Sequence, residues 1–120
     1  MARILLVDDD PSMRERLESE LRGAGYEVQT AADGIAGGYG VLQRRPDLIV
    51  SDVRMPHLDG YEFIAALRSE TALSSIPVIF ILAEGDAPAR ARELRAVGCV
   101  PKPVHSGRLL SMIKAHVVLA

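Results

Sequence analysis

The sequence predicts an α/β fold, a single (βα)5 domain in which helices cover both faces of one parallel sheet. Three observations lead to it. Apolar runs at residues 4–7, 48–50 and 77–82 show no polar alternation, the pattern of strands buried on both faces. Two weaker strand-like segments, residues 27–30 and 99–100, complete a set of five, and a helix-compatible stretch follows each strand. Strands alternating with helices are joined by right-handed crossovers, which makes the sheet parallel and puts helices on both sides of it.

Taken in order, the first run leads into Asp8-Asp9-Asp10 and then Pro11-Ser12, a loop and a helix start. Proline suits a first helical turn, and acids beside it suit the helix dipole. Met13, Leu17 and Leu21 recur every four residues, so the first helix reaches about Arg22 and ends at Gly23 and Gly25. A second strand over residues 27–30 precedes a helix over residues 34–43, which contains Gly37, Gly38 and Gly40. Each glycine costs about 1 kcal/mol against alanine inside a helix, which predicts a short, bent or mobile element. Pro46 closes it, and the third strand then delivers a single carboxylate, Asp52, to its end. Pro56 and Gly60 punctuate the next loop, and Phe63, Ile64 and Leu67 form an amphipathic stripe reaching about Glu70. After the strand at 77–82, a loop over residues 83–88 leads to a short charged helix over 89–96. Cys99 and Val100 make a brief strand before Pro101-Lys102-Pro103. Leu109, Leu110, Ile113, His116 and Val117 share one face of a last helix. No repeat, low-complexity segment or linker divides the chain, so residues 1–120 read as one domain. Five strands connected in this way take the flavodoxin-like order 2-1-3-4-5.

Composition narrows the function classes. Apolar residues make up 48% of the chain and charged residues 25%, the balance of a soluble globular domain. A net charge of -2 gives no reason to expect direct binding of nucleic acid or of an anionic membrane. No apolar run approaches the ~18 residues of a spanning helix, and the N-terminus lacks a signal-peptide pattern. A single cysteine, Cys99, forms no internal disulfide, which fits a cytoplasmic protein. Charge is uneven: residues 1–60 carry 7 basic and 11 acidic side chains, and residues 61–120 carry 7 and 5. The mildly basic second half, with Arg90, Arg92, Arg95, Arg108 and Lys114, reads as a solvated helix face or a partner-docking face.

In the 2-1-3-4-5 order the first and third strands are neighbours, so Asp8 and Asp9 end beside Asp52. Like charges ~4 Å apart repel by about 4 kcal/mol at an effective dielectric of 20, so such a cluster needs a proton, a lysine or a metal. Lys102, after the fifth strand, can supply a positive charge. A few hard oxygen ligands with room for water favour Mg2+ over Ca2+. A carboxylate, a hard cation and an ammonium at one sheet edge suit in-line phosphoryl transfer to an aspartate, forming an acyl phosphate.

At this point the chain resembles the response-regulator receiver domains of two-component signalling, over essentially its whole length. The resemblance is carried by Leu6-Val7-Asp8-Asp9-Asp10 with Met13-Arg14, by Pro46-Asp47-Leu48-Ile49-Val50-Ser51-Asp52-Val53-Arg54-Met55-Pro56 with Asp59-Gly60, by Ile76-Pro77-Val78-Ile79-Phe80, and by Lys102-Pro103. It implies that Asp52 is the phosphoacceptor, supplied by a histidine kinase, a phosphotransfer protein or a small phosphodonor. It implies that Asp9 and Asp52 ligate Mg2+, that Asp8 acts through water, and that the Arg54 backbone carbonyl completes the set. Lys102, with backbone N–H groups near Arg54 and Ala83, would hold the phosphoryl oxygens. Output would pass through the helix 4–strand 5–helix 5 face to a downstream protein or a fused output domain, with a weak homodimer as an allowed state. Only self-phosphorylation and self-dephosphorylation chemistry is implied, not enzymatic turnover.

The chain departs from the family pattern at three places. Leu82 stands where the family usually has Thr or Ser, and Cys99 where it usually has Tyr or Phe. The interval from Leu82 to Lys102 is about two residues shorter than usual. Placing the shortening before the fourth helix puts Arg95 in the position of a usual Gly. Leu82, Cys99 and the glycine-rich second helix motivate an alternative: a pseudo-receiver, recognised by a partner whatever Asp52 carries. A third reading takes Asp8-Asp9-Asp10-Pro11-Ser12 as the D-x-D-x-S/T pattern of haloacid-dehalogenase-like phosphatases, with Asp10 as general acid, and leaves Met55-Pro56 and Asp59-Gly60 unexplained. Asp59 reads as a turn former, His57 as an exposed loop histidine, and Cys99 as a small buried hydrophobe.

Overall fold

The computed structural model describes residues 1–117 of the chain. Five strands, β1 (Arg3–Val7), β2 (Glu27–Ala31), β3 (Leu48–Asp52), β4 (Val78–Leu82) and β5 (Gly98–Pro101), form one parallel sheet in the order β2-β1-β3-β4-β5. The helices between and after them are α1 (Pro11–Gly23), α2 (Gly34–Gln43), α3 (Gly60–Arg68), α4 (Pro88–Glu93) and α5 (Ser106–Lys114). This is the predicted flavodoxin-like arrangement.

Period-2 geometry sorts the strand residues between two cores. Ile4, Leu6, Leu48, Val50, Ile79 and Ile81 point to one face, where Leu17 and Leu21 of α1 and Leu109 and Ile113 of α5 cover them. Leu5, Val7, Ile49, Val78 and Phe80 point to the other, under Val41 of α2, Phe63, Ile64 and Leu67 of α3, and Ala91 of α4. Burial on both faces explains why β1, β3 and β4 read as unbroken apolar runs.

Local chemistry sets the helix ends. Asp10 caps α1 by accepting the N–H groups of Ser12 and Met13, with Pro11 in the first turn. Asp59, expected as a turn former, instead caps α3 in a reciprocal box with Glu62. The glycine-rich α2 keeps its predicted span, because Gly37 and Gly40 are packing positions: a Cβ on Gly37 would sit 3.1 Å from the Phe63 ring and 3.2 Å from Val7. The fourth helix is shorter than the predicted 89–96. It ends at Glu93 because Arg95, at φ 61, occupies the left-handed region that breaks a helix and favours glycine. The third helix stops at Arg68, short of Glu70, with Ser69 at its C-cap. His116, predicted on the buried face of the last helix, lies beyond Lys114 and is exposed, while Leu109, Ile113 and Val117 are buried.

Gly60 is where α3 meets the site-bearing strand, and a Cβ there would overlap the Asp52 carbonyl oxygen. Gly60→Ala is therefore expected to lower stability by about 3 kcal/mol or more, since the neighbouring atoms are backbone. Gly38, with nothing within 4 Å of its Cβ position, should behave oppositely. Gly38→Ala is expected to raise stability by about 0.5–1 kcal/mol, both changes being read from urea unfolding midpoints.

Candidate functional site

The site is built from strand ends. Asp52 is the last residue of β3 and is 1% exposed. Asp8 follows β1 directly, fully buried, and its N–H is tied to the Ala31 carbonyl at 3.0 Å, which extends the parallel β1–β2 pairing past the end of β1. Asp9 is the next residue and faces solvent. Because β1 and β3 are adjacent, carboxylate oxygens of Asp8, Asp9 and Asp52 lie within 4.8 Å of one another. Lys102 leaves the end of β5, its N–H bound to the Leu82 carbonyl at 2.9 Å and its following peptide bond to Pro103 cis. Its side chain crosses the end of β4 to put Nζ 3.0 Å from Asp52 Oδ2. The other oxygen, Oδ1, accepts the Val53 N–H at 2.9 Å.

Electrostatics follow from that crowding. Burial first, then the charges of Asp52 and Asp9, push the Asp8 carboxyl up to about 6, against a lowering hydrogen bond from the Asp10 N–H and the charge of Lys102. Partial burial pulls the Lys102 ammonium down, but its hydrogen bond to Asp52 and the charges of Asp52, Asp8 and Asp9 outweigh it and leave the group above its usual range. Arg14 donates to the Asp8 carbonyl at 2.8 Å and fixes the loop, without neutralising the carboxylates themselves.

The donor set fits a hard divalent cation. Asp8 Oδ2 is buried with no hydrogen-bond partner among the described residues, while Asp8 Oδ1 is satisfied by the Asp10 N–H at 2.9 Å. A buried, unpartnered carboxylate oxygen facing two further carboxylates, one of them open to solvent, is what an oxygen-ligated ion with retained waters requires.

Four of the sequence-predicted site residues, Asp8, Asp9, Asp52 and Lys102, therefore converge. Arg54 lies two residues past Asp52, and its side chain turns to Asp86, with Nε 2.9 Å from Oδ1. Asp10 does not fit the role of a general acid, since its carboxylate is committed to capping α1. His57 is exposed, at φ 68. Leu82 and Cys99 do not meet at the carboxylates; both are half-buried against the apolar cluster under α2, α3 and α4. Burial raises the Cys99 thiol above its usual range.

Two residues next to the site were not singled out by sequence. Asp86, in a loop, has a nearly buried carboxylate whose Oδ2 accepts the Ala83 N–H at 2.7 Å. Tyr61 packs edge-on against Phe80, with ring centroids 5.0 Å apart, and its hydroxyl donates to the Ala87 carbonyl at 3.0 Å. Burial, followed by the charge of Asp86, pushes the Tyr61 phenol up. The only sequence signal for Asp86 was an acid in a short Gly-containing loop after the most apolar strand, a weak one.

Comparison with known proteins places this geometry. The model of the response regulator receiver domain family matches residues 4–114. The DNA-binding dual master transcriptional regulator RpaA of Synechocystis sp. is 34% identical over 117 residues, which cover 96% of this chain and 48% of RpaA. Protein PilG of Pseudomonas aeruginosa is 33% identical over 118 residues, covering 96% of this chain and 87% of PilG. The crystal structure of chemotaxis protein CheY4 of Vibrio cholerae superposes with a TM-score of 0.89 at 33% identity, covering 98% of this chain and 99% of that one. The chain spans about half the length of RpaA and of three further curated regulators it matches.

The raised Asp8 carboxyl gives a pH-dependent prediction for metal-free protein. Its folded pKa of about 6 exceeds the 3.8 of an unperturbed aspartate, so the folded state binds the proton more tightly and loses stability as pH rises from about 4 to 6. Asp8→Asn removes that loss. In chelator, the stability advantage of Asp8→Asn over wild type should grow across that window and level off above it. In Mg2+ the advantage should shrink or reverse, since Asp8→Asn removes one carboxylate of the cluster. Thermal unfolding across pH, with and without Mg2+, measures both.

Proposed function

The chain belongs to the response-regulator receiver family, and on that premise we propose that Asp52 accepts a phosphoryl group in a Mg2+-dependent reaction. The observation that carries this reading is the buried Asp52 carboxylate, with an ammonium at 3.0 Å and two further carboxylates within 4.8 Å. Receiver domains are signalling domains rather than turnover enzymes, and the chemistry proposed is confined to gain and loss of one phosphoryl group. The donor is a histidine kinase, a phosphotransfer protein or a small phosphodonor.

An Asp52 carboxylate oxygen forms the new bond to phosphorus as the donor's bond to phosphorus breaks, and the bonding pair leaves with the donor. The product is an acyl phosphate on Asp52. Strand packing supports the nucleophile: the Val53 N–H and Lys102 Nζ fix both oxygens, so little reorganisation is needed at the moment of attack. Lys102 keeps its proton throughout and shifts its hydrogen bond from the carboxylate to the transferred oxygens. N–H groups near Arg54 and Ala83, just past the ends of β3 and β4, would assist. Asp9 and Asp52 would ligate Mg2+ directly, Asp8 through water, and the Arg54 carbonyl would complete the protein ligands. When bound, the ion offsets the charge that the carboxylates and the incoming phosphoryl group bring together. The modified domain would signal through its α4–β5–α5 face to a downstream protein or a fused output domain.

Leu82 and Cys99 favour one second reading, a pseudo-receiver whose partner recognises the fold whatever Asp52 carries. Partner affinity that is unchanged by Asp52→Asn and by beryllofluoride would support it; a large change would reject it.

Incubation with acetyl phosphate and Mg2+ should add the mass of one phosphoryl group to intact protein, and Asp52→Asn should abolish the adduct. Lys102→Ala should slow its formation by roughly 10^2-fold, the scale of losing one preorganised charge-stabilising donor. Absence of an adduct at saturating donor overturns the phosphoacceptor reading.

A further inference from the structure

The β4–α4 loop contains an acid that neither the fold nor the proposed transfer accounts for. The Asp86 side chain is 5% exposed, although it lies in a surface loop. Its two oxygens take donors from two different strand ends. Oδ2 accepts the N–H of Ala83, the first residue past β4, at 2.7 Å. Oδ1 accepts Nε of Arg54, two residues past Asp52, at 2.9 Å. The Arg54 guanidinium also lies against Gly85, with Nη2 3.8 Å from where a Cβ would stand, and Gly85 has φ +90, so this turn depends on glycine. The next residue, Ala87, is the N-cap of α4, contributes no side-chain hydrogen bond, and presents its carbonyl to the Tyr61 hydroxyl. Helix α4 itself has six residues and buries only Ala91. Its start is therefore held mainly by what holds Asp86.

We propose that Asp86 is a positioning residue that latches the β4–α4 loop in the unmodified protein, and that a phosphoryl group on Asp52 opens the latch by taking over the Ala83 N–H and the Arg54 guanidinium. The inference rests on the phosphoacceptor reading of Asp52. A phosphoryl group brings nearly two negative charges and three acceptor oxygens, against the single charge of the Asp86 carboxylate. A guanidinium binds phosphoryl oxygens in its planar fork, so Arg54 gains by the exchange. The new charge also repels Asp86, and both of its hydrogen bonds are lost together. Freed, Asp86 no longer fixes Ala87, and the first turn of α4 and the Tyr61 hydroxyl lose their common anchor. This route needs no hydroxyl at Leu82 and no ring at Cys99, because it runs through a backbone N–H and an arginine.

The latch also competes with ligand. While Asp86 occupies the Ala83 N–H and Arg54, apparent affinity for a phosphoryl mimic is reduced by the fraction of protein with the latch open. Asp86→Asn keeps the size and one acceptor oxygen of the side chain but discards its charge. The experiment is a titration of the 15N-labelled full chain with beryllofluoride in Mg2+, followed by NMR. In wild type, the amides of Ala83, Asp86, Ala87 and residues 89–93 should shift together with those flanking Asp52. In Asp86→Asn, beryllofluoride should bind about tenfold more tightly, the scale of one charge-assisted hydrogen bond, and the free variant's loop amides should already lie towards the bound wild-type positions. Asp86→Glu, which restores the charge, should return affinity most of the way to wild type, an effect that a purely structural role would not give. Shifts confined to the Asp52 flank, or equal or weaker binding by Asp86→Asn, overturn the latch and leave the phosphoacceptor reading standing. Failure of wild type to bind beryllofluoride at all overturns the phosphoacceptor reading and the latch with it.

Discussion

The Lys102 ammonium lies 3.0 Å from Asp52 Oδ2, and the arrangement of the sheet edge follows from how much negative charge that contact must offset. Asp8 and Asp52 approach within 4.8 Å, a repulsion of about 3–4 kcal/mol at an effective dielectric of 20. The attraction of Lys102 for Asp52 is of similar size, about 5 kcal/mol on the same scale, and its direct contact is with that one carboxylate. A single ammonium pairs with Asp52 and only partly offsets the charge at Asp8, whose carboxyl is pushed up to about 6 by burial first and by Asp52 and Asp9 after it, with one buried oxygen unpartnered. With Asp9 included, three carboxylates face one ammonium, and the site is two positive charges short. That deficit, rather than the presence of acids alone, is what makes a divalent cation the natural complement.

Nothing but a parallel sheet with β1 beside β3 would create the deficit. The two strands must end at the same level and side by side for acids that lie 44 positions apart in the chain to meet, and β5 must end one strand further out so that Lys102 reaches back across β4. Fully apolar strands allow this, because helices bury both faces and leave only the carboxyl edge for polar groups. Gly60 shows how tightly the edge is built: α3 begins so close to the Asp52 backbone that no side chain fits at its first residue.

Strand order and the four convergent site residues were legible in the sequence because each depends on a local pattern. An apolar run of three to six residues marks each buried strand, and a charged residue beyond it marks the edge. Features set by contact between distant segments were not legible. The glycines of α2 suggested weakness, but Gly37 is packed closely, where a Cβ would stand 3.1 Å from the Phe63 ring and 3.2 Å from Val7. The fourth helix is shorter than its residue pattern suggests because Arg95 adopts a positive φ, and the one cue to this was its placement where the receiver pattern usually has Gly. Asp86 passed for a loop acid because its partners, Ala83 and Arg54, come from two different strand ends, and only the folded chain puts them on the same carboxylate. Asp59 was misjudged for a smaller reason: a turn and a helix cap use the same side-chain geometry, and Glu62 three residues on was the cue that separates them.

Leu82 and Cys99 limit how a change at Asp52 can travel. Both side chains lie in the apolar layer between the sheet and α2, α3 and α4, where they pack and offer no charge or strong donor to a phosphoryl oxygen. Cys99 sits opposite Phe80 in the β4–β5 ladder, and Tyr61 packs edge-on against that same Phe80. The aromatic pair thus spans α3 and β4 above a small β5 side chain. The Tyr61 hydroxyl, bound to the Ala87 carbonyl, is the polar end of that layer and reaches the turn that Asp86 holds. A movement of the β4–α4 loop would therefore be felt first in α3, through the phenol, rather than in β5 through a swinging ring. Of the α4–β5–α5 face, the start of α4 would thus respond before β5 does.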